Sequence, residues 1–150
     1  MPSEFKHTRR IEFAETDMAG IVHFANFFRM MENTEHEFFR SLGFSIHEYE
    51  NGTTIGWPRV SVSCDFSRPL RFEDVVEIHL IVAEVRTRSI RYEFLFCNAA
   101  DGLEVARGKV ATVCATVDKA TGKLVAMPIP GHIREKITPA IADSSSSSSS

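Results

Sequence analysis

Cysteine is scarce in this chain and unsuited to pairing: Cys64, Cys97 and Cys114 are odd in number, far apart and each set among apolar neighbours. That excludes a disulfide framework and a cysteine-ligated zinc site, and predicts reduced thiols in a packed interior. Paired histidines are missing as well, because the six present stand at scattered single positions, and no metal is expected. No apolar run comes near the ~20 residues a membrane span requires, and the opening MPSEFKHTRR lacks the apolar segment of a secretory leader. The expectation is a soluble protein of the cytoplasm. Positive charge is not in excess: 17 Lys and Arg face 20 Asp and Glu. A nucleic-acid backbone would find little to neutralise it, so nucleic acid is not an expected partner, and any anionic ligand must be met by local groups.

What is present fits one packed domain over residues 1–140. The 150 residues are 43% hydrophobic, and a chain of this size buries roughly 70% of the surface its unfolded form exposes. Residues 141–150 end in an unbroken serine run with no apolar side chain to bury, which predicts a flexible tail without function.

The pattern from His7 to Phe13 reads as a short strand, and Ala14 to Gly20 as a loop. Between Asn26 and Leu42 the residues Phe27, Phe28, Met30, Met31, Phe38, Phe39 and Leu42 recur at helical spacing, with Asn26 as N-cap and Gly43 as terminator. So wide an apolar stripe predicts a helix lying in the concavity of a sheet. After a turn-rich stretch around Asn51 and Gly52, alternation takes over: Val60 to Phe66 as a half-buried strand, then Val76 to Val82, and Ile90 to Phe96 beyond a turn at Thr87. Leu103 to Val117 reads as one long strand with a bulge at Gly108, followed by a turn at Asp118–Lys123 and a short helix over Gly131–Ile137. The fold class is α+β, one five-stranded antiparallel sheet wrapped around one long helix. Such a sheet keeps two open edges and an uncovered face, which predicts a homo-oligomer, a dimer or a dimer of dimers.

Chemistry concentrates between Phe13 and Phe27. Asp17 lies in the loop that leads into the helix, and the helix start near Val22 to Phe27 presents unpaired N–H groups and about half a positive charge. A carboxylate beside such a cradle suits attack on a carbonyl, as nucleophile or as general base for water, with the amides holding the developing oxyanion.

The string Glu15-Thr16-Asp17-x-x-Gly20-Ile21-Val22-x-x-x-Asn26-Phe27 resembles the signature of the 4-hydroxybenzoyl-CoA thioesterase-like branch of the hot-dog superfamily. The resemblance extends through Phe28, Arg29, Glu32 and Gly43 and the strand order to about Pro128. It implies a hot-dog fold and hydrolysis of an acyl-CoA thioester to free acid and coenzyme A, at sites shared across a dimer interface. It also implies no metal or organic cofactor beyond the coenzyme A of the substrate. By the same resemblance Asp17 is the catalytic carboxylate and the backbone N–H near Phe24, with His23 beside it, polarises the carbonyl. Gly20, Val22, Asn26 and Phe27 are then expected at the substrate pocket.

Some relatives place an aromatic before a histidine at the helix start, whereas this chain has His23 before Phe24. The His23 ring either orients Asp17 or water, or packs against a partner subunit. Glu32 is a candidate for hydrogen bonding a polar acyl substituent, with a structural bond near Glu35 and His36 as the plainer account. Trp57 is a candidate pocket wall. Arg86, Arg88 and Arg91 around one hairpin turn are candidates for the phosphates of coenzyme A. Two other functions share the fold: a non-catalytic subunit that binds acyl-CoA or an acyl carrier protein, and a hydratase or dehydratase.

Overall fold

Alternating burial builds the sheet. In β5 (Val75–Val85) the residues Val76, Ile78, Leu80 and Val82 are buried, and in β6 (Ser89–Asn98) so are Ile90, Tyr92, Phe94 and Phe96. These branched and aromatic side chains stand on one face of a pleated surface. The structure, a computed structural model, describes residues 3–50 and 53–140. Asn51, Gly52 and the serine-rich tail lie outside the described residues. The two strands are joined at a tight turn where the Arg86 N–H donates to Ser89 O at 2.8 Å. With β1 (Glu4–Arg10), β4 (Arg59–Phe66) and β7 (Glu104–Val113) they form an antiparallel sheet in the order β1-β5-β6-β7-β4.

Helix α1 (Ala25–Ser41) lies on the buried face and packs against β1, β4 and β5. It buries Phe27, Met30, Met31, Thr34, Glu35, Phe38 and Phe39, a stripe at steps of three and four residues. Gly43, at φ +89°, ends it as predicted: its N–H donates to Arg40 O (3.0 Å) and that of Phe44 to Phe39 O (2.9 Å). That double bond is a Schellman end, closed by the Phe39 and Phe44 rings 6.3 Å apart. The expected five-stranded sheet around one long helix is therefore the architecture found.

Several local expectations are corrected. β1 runs from Glu4 to Arg10 rather than His7 to Phe13, because β5 begins opposite Arg10 at Val75 and offers no further ladder. Past it the chain turns on Asp74 and Glu73 into a single 3-10 turn, Phe13–Glu15. Asn26 is not the helix cap, since the helix starts at Ala25 with Phe24 at the cap position and no side-chain cap of its own. The Leu103–Val117 run breaks at Cys114, whose N–H turns to Arg88 O (2.7 Å). Beyond the break a separate hairpin forms from β8 (Ala115–Val117) and β9 (Leu124–Ala126) around the predicted Asp118–Lys123 turn. A second small hairpin, β2 (Glu48–Glu50) with β3 (Thr53–Ile55), was not legible as strands. The last helix, α2 (Gly131–Arg134), is shorter than predicted.

Gly108 sits in regular register between Cys64 and Phe94 and is not a bulge. Its role is close approach: a Cβ there would lie 2.1 Å from Met31 Cε and 2.7 Å from Met31 Sδ. We expect Gly108→Ala to cost about 1–3 kcal/mol, because the buried Met31 must leave its rotamer. Adding Met31→Ala should make the double variant less destabilised than the sum of the single ones. Additive losses in urea titrations would sink this account.

β4 is not half-buried. It pairs only with β7, and Val60, Val62 and Phe66 are 62%, 48% and 48% exposed along an open edge. Cys64 and Cys97 are partly buried and Cys114 fully so, all unpaired; burial pushes the Cys64 and Cys114 thiols up to about 11. Among the described residues no helix is long and apolar enough to cross a membrane.

Candidate active site

The loop between β1 and α1 is held by a hub at Glu15. Its carboxylate pairs with Arg9 (2.7 Å) and accepts the Glu12 N–H (2.8 Å). Its carbonyl accepts both the His23 N–H (2.9 Å) and the Asn26 side-chain amide (2.8 Å). So Asn26, expected as a cap and at the pocket, instead ties the loop to the helix. Farther along, Thr16 and Val22 form an antiparallel bridge, and the Val22 N–H reaches Leu70 O (2.8 Å) on the segment between β4 and β5. Between these fixed points the chain reverses at Gly20, whose φ of +80° favours glycine.

Asp17 sits at the tip of this reversal. Its N–H donates to Ile21 O and its carbonyl accepts the Gly20 N–H, both at 2.9 Å. Oδ1 accepts the Ala19 N–H (2.8 Å), an Asx-turn bond, while Oδ2 has no hydrogen-bond partner among the described residues. The side chain is thus oriented through one oxygen and free at the other.

The helix start is economical with its donors. Ala25 N–H donates to His23 Nδ1 (3.2 Å), Asn26 N–H to His23 O (2.9 Å) and Phe27 N–H to Phe24 O (3.1 Å). Among the described residues the Phe24 N–H has no acceptor. The His23 N–H is taken up by Glu15, which removes it as a carbonyl-polarising donor. Its ring, stacked on Phe24 with centroids 4.8 Å apart, acts as a helix cap rather than a partner of Asp17.

Asp17, Val22, Phe24 and Phe27 line one open cleft of about 670 Å³, walled on the far side by Phe66 and the Arg68–Arg71 segment. The sequence reading missed Arg68 and Arg71, two cations at the rim of this cleft; their proximity arises from the Val22–Leu70 bond and has no local signal. Three of the expected groups do not line this cleft within one protomer. Trp57 is buried against Phe39, ring centroids 5.7 Å apart, and is core rather than pocket wall. Within the same protomer Arg86, Arg88 and Arg91 lie at or beside the β5–β6 turn, toward the other end of the sheet, about 16 to 26 Å along the strands from the level of Phe66 at 3.3 Å per residue. Gly20 shapes the turn without lining the cleft.

Glu32 belongs to a second, smaller cavity of about 260 Å³ between α1 and β4. Its floor is Glu35, 1% exposed, hydrogen bonded to Arg59. Burial holds the Glu35 carboxyl above its ordinary range, with the Arg59 charge opposing. Beside it the Tyr92 hydroxyl is pushed well up by burial and by the Glu35 charge. A hydrogen bond between the two side chains adds to the rise of the tyrosine and opposes that of the carboxyl. The signal for Glu35 was present in the sequence: it stands four residues from both Met31 and Phe39, a charge on the apolar stripe.

Comparison with known proteins bears on this site. The model of the thioesterase-like superfamily matches residues 11–137. A protein of Aquifex aeolicus, provisionally named an esterase, is 35% identical over 126 residues, 83% of this chain and 91% of its own. A 1,4-dihydroxy-2-naphthoyl-CoA hydrolase of Nostoc punctiforme is 26% identical over 110 residues, 73% of each chain. Among solved structures a gentisyl-coenzyme A thioesterase superimposes with a TM-score of 0.73 at 31% identity, covering 87% of this chain and 99% of that one. A 4-hydroxybenzoyl-CoA thioesterase, solved as an aspartate-to-asparagine mutant with 4-hydroxybenzoyl-CoA, reaches 0.77 at 25% identity, covering 88% and 97%.

Proposed function

Since the chain belongs to the thioesterase-like superfamily, we propose that it hydrolyses an acyl-CoA thioester to the free acid and coenzyme A in the Asp17 cleft. It is a thioester hydrolase of the hot-dog fold, like the thioesterases it superimposes on. The observation that carries the assignment of the site is the convergence of a carboxylate with one free oxygen and an unpaired backbone N–H on one cleft. The thioester carbonyl accepts the Phe24 N–H, where the positive end of the α1 dipole stabilises the oxyanion. Asp17 then either attacks the carbonyl carbon, expelling the thiolate and leaving an anhydride for water to cleave, or takes a proton from an attacking water. Support comes from the solved relative, an aspartate-to-asparagine mutant complexed with 4-hydroxybenzoyl-CoA. Arg68 and Arg71 are the cations placed to meet the coenzyme A phosphates.

The test is thiol release from a panel of aromatic and aliphatic acyl-CoAs. Release from none of them overturns the assignment, and tight binding without turnover returns the non-catalytic reading.

The β4 edge is the surface we assign to a dimer, two copies pairing their edges about a two-fold axis, and a dimer of dimers would also cover the outer face. Antiparallel pairing sets the Phe66 end of one β4 against the Arg59 end of the other. Val60→Glu with Val62→Glu should shift sedimentation to the monomer and remove most of the activity. A variant that stays oligomeric would move the interface elsewhere.

A further inference from the structure

The loop that carries Asp17 is a miniature hairpin. The His23 N–H donates to Glu15 O and the Asp17 N–H to Ile21 O, both at 2.9 Å, on either side of the Thr16–Val22 bridge, and Gly20 turns the chain between them. Its root is Glu15, every polar group of which is engaged. The Glu15 N–H donates to Glu12 O (3.0 Å), Oε1 accepts the Glu12 N–H (2.8 Å) and Oε2 takes Arg9 Nη2 (2.7 Å). The Glu15 carbonyl accepts twice, from His23 within the hairpin and from Asn26 Nδ2 (2.8 Å) on the first turn of α1.

The second of these bonds is not needed to close the hairpin, because the His23 N–H closes it alone. Asn26 joins two bodies that each hold half of the reacting groups: the hairpin with the Asp17 carboxylate, and the helix start with the Phe24 N–H. The donors on either side of Phe24 are taken, that of His23 by Glu15 O and that of Ala25 by His23 Nδ1 (3.2 Å), so the choice of Phe24 as the open donor depends on how the two bodies meet. Packing does little to fix that meeting. From Glu12 to Asn26 only Val22 is buried, while Phe24 is 61% exposed and Met18 wholly so. Polar bonds therefore set the orientation, and the Asn26 amide is the side-chain donor that reaches from the helix to the hairpin root.

We propose that Asn26 is a positioning residue: through its bond to Glu15 O it fixes the distance and angle between the Asp17 carboxylate and the Phe24 N–H, so that both meet one thioester carbonyl. The inference rests on thioester hydrolysis at Asp17 and adds the group that holds the two halves of that site together. A misplacement of about 1 Å between reacting groups costs on the order of 100-fold in rate. Substrate binding, spread over the whole acyl-CoA, is nearly indifferent to it. The loss therefore belongs in kcat rather than in KM.

The experiment measures kcat and KM for Asn26→Ala and Asn26→Asp on the acyl-CoA that wild type hydrolyses fastest, with sedimentation and thermal melting showing that each variant is folded and assembled. Alanine suits a helix better than asparagine, and an aspartate in the first turn is favoured by the helix dipole, so the two variants fold for different reasons and either can carry the comparison. In both, kcat should fall on the order of 10- to 100-fold with KM within about threefold of wild type. An unchanged kcat in a folded variant, or a loss carried by KM alone, would overturn the proposal. A cycle with Asp17→Asn separates positioning from a general weakening of the fold. Asn26→Ala should cost clearly less in the Asp17→Asn background, where no carboxylate is left to place, and equal costs in the two backgrounds would reject the role. Hydrogen exchange at the His23 amide reads the tie without the reaction. It should quicken by about tenfold or more in Asn26→Ala, whose hairpin root has lost one of its two fixings, and unchanged exchange removes Asn26 from the role. If wild type releases thiol from no substrate, the assignment of the reaction is what fails, and the exchange measurement decides for or against the tie by itself.

Discussion

Asp17→Asn protein should retain its assembly and its affinity for acyl-CoA while releasing thiol on the order of 10³-fold more slowly, within the range lost with a positioned acid or base. The substitution is close to isosteric, and Asn keeps the oxygen that accepts the Ala19 N–H at 2.8 Å. The Gly20 reversal and the bridge from Thr16 to Val22 are therefore undisturbed. Because the side chain is exposed, stability should move by no more than about 0.5 kcal/mol. What is removed is the negative charge at the free oxygen, needed equally for attack on carbon and for taking a proton from water. Single-turnover mixing with chromogenic thiol detection reads the chemical step directly. A rate within a few-fold of wild type would take Asp17 out of the reaction even if the protein remained a thioesterase.

Arg59→Met should be the most damaging single change to stability, about 3–5 kcal/mol at pH 8, as for a buried ion pair stripped of one partner. Arg59 holds Glu35 and also donates to Trp57 O (2.9 Å), so it ties the start of β4 to the middle of α1. The pH dependence identifies the cause. Burial already lifts the Glu35 carboxyl above its ordinary value of 4.5, and loss of the guanidinium lifts it further. Folded protein then holds a proton that the unfolded chain gives up. The Glu35 contribution is fully present below pH 4.5 and is lost as pH rises through the raised folded value. The deficit of the variant against wild type should accordingly be small near pH 4.5 and largest at pH 8. Urea titrations at the two pH values, at one protein concentration, give the comparison. A deficit independent of pH would assign the cost to lost packing of the arginine stem, and a Glu35→Met change added to Arg59→Met would then recover nothing.

Periodicity was enough for the larger elements. The steps of three and four along α1 and the alternation along β5 and β6 report the same buried surface from its two sides, and Gly43 marks the helix end because only a left-handed residue closes it so tightly. Short elements escaped because three residues carry no period: β2, β3, β8 and β9 exist through pairing alone. The boundary of β1 was misplaced because it is set by where β5 begins, a fact about a strand 65 residues later. At the site, Asp17 and Phe24 lie within one continuous motif and could be read together. Arg68 and Arg71 reach the cleft only through a tertiary hydrogen bond, and the Arg86–Arg91 cluster looked equally suitable until the sheet order placed it at the other end. Val60, Val62 and Phe66 alternate as a covered strand would, and the exposure of that edge is evident only once β7 is its sole neighbour.

The strand order also bears on how the chain reaches this state. β1 and α1 leave the ribosome before β5 and β6, yet β1 waits for β5 and the helix waits for the face made by β5 and β6. Until then a stripe of phenylalanine and methionine travels uncovered. Within the five-stranded sheet the central hairpin of β5 and β6 is the most local pairing and the natural nucleus, while β4 stays unpaired until β7, the last strand of the sheet, has emerged. A ribosome paused before Val113 would hold an aggregation-prone chain with its helix half covered and no way to close the sheet, so folding is completed after synthesis of β7 rather than along the way.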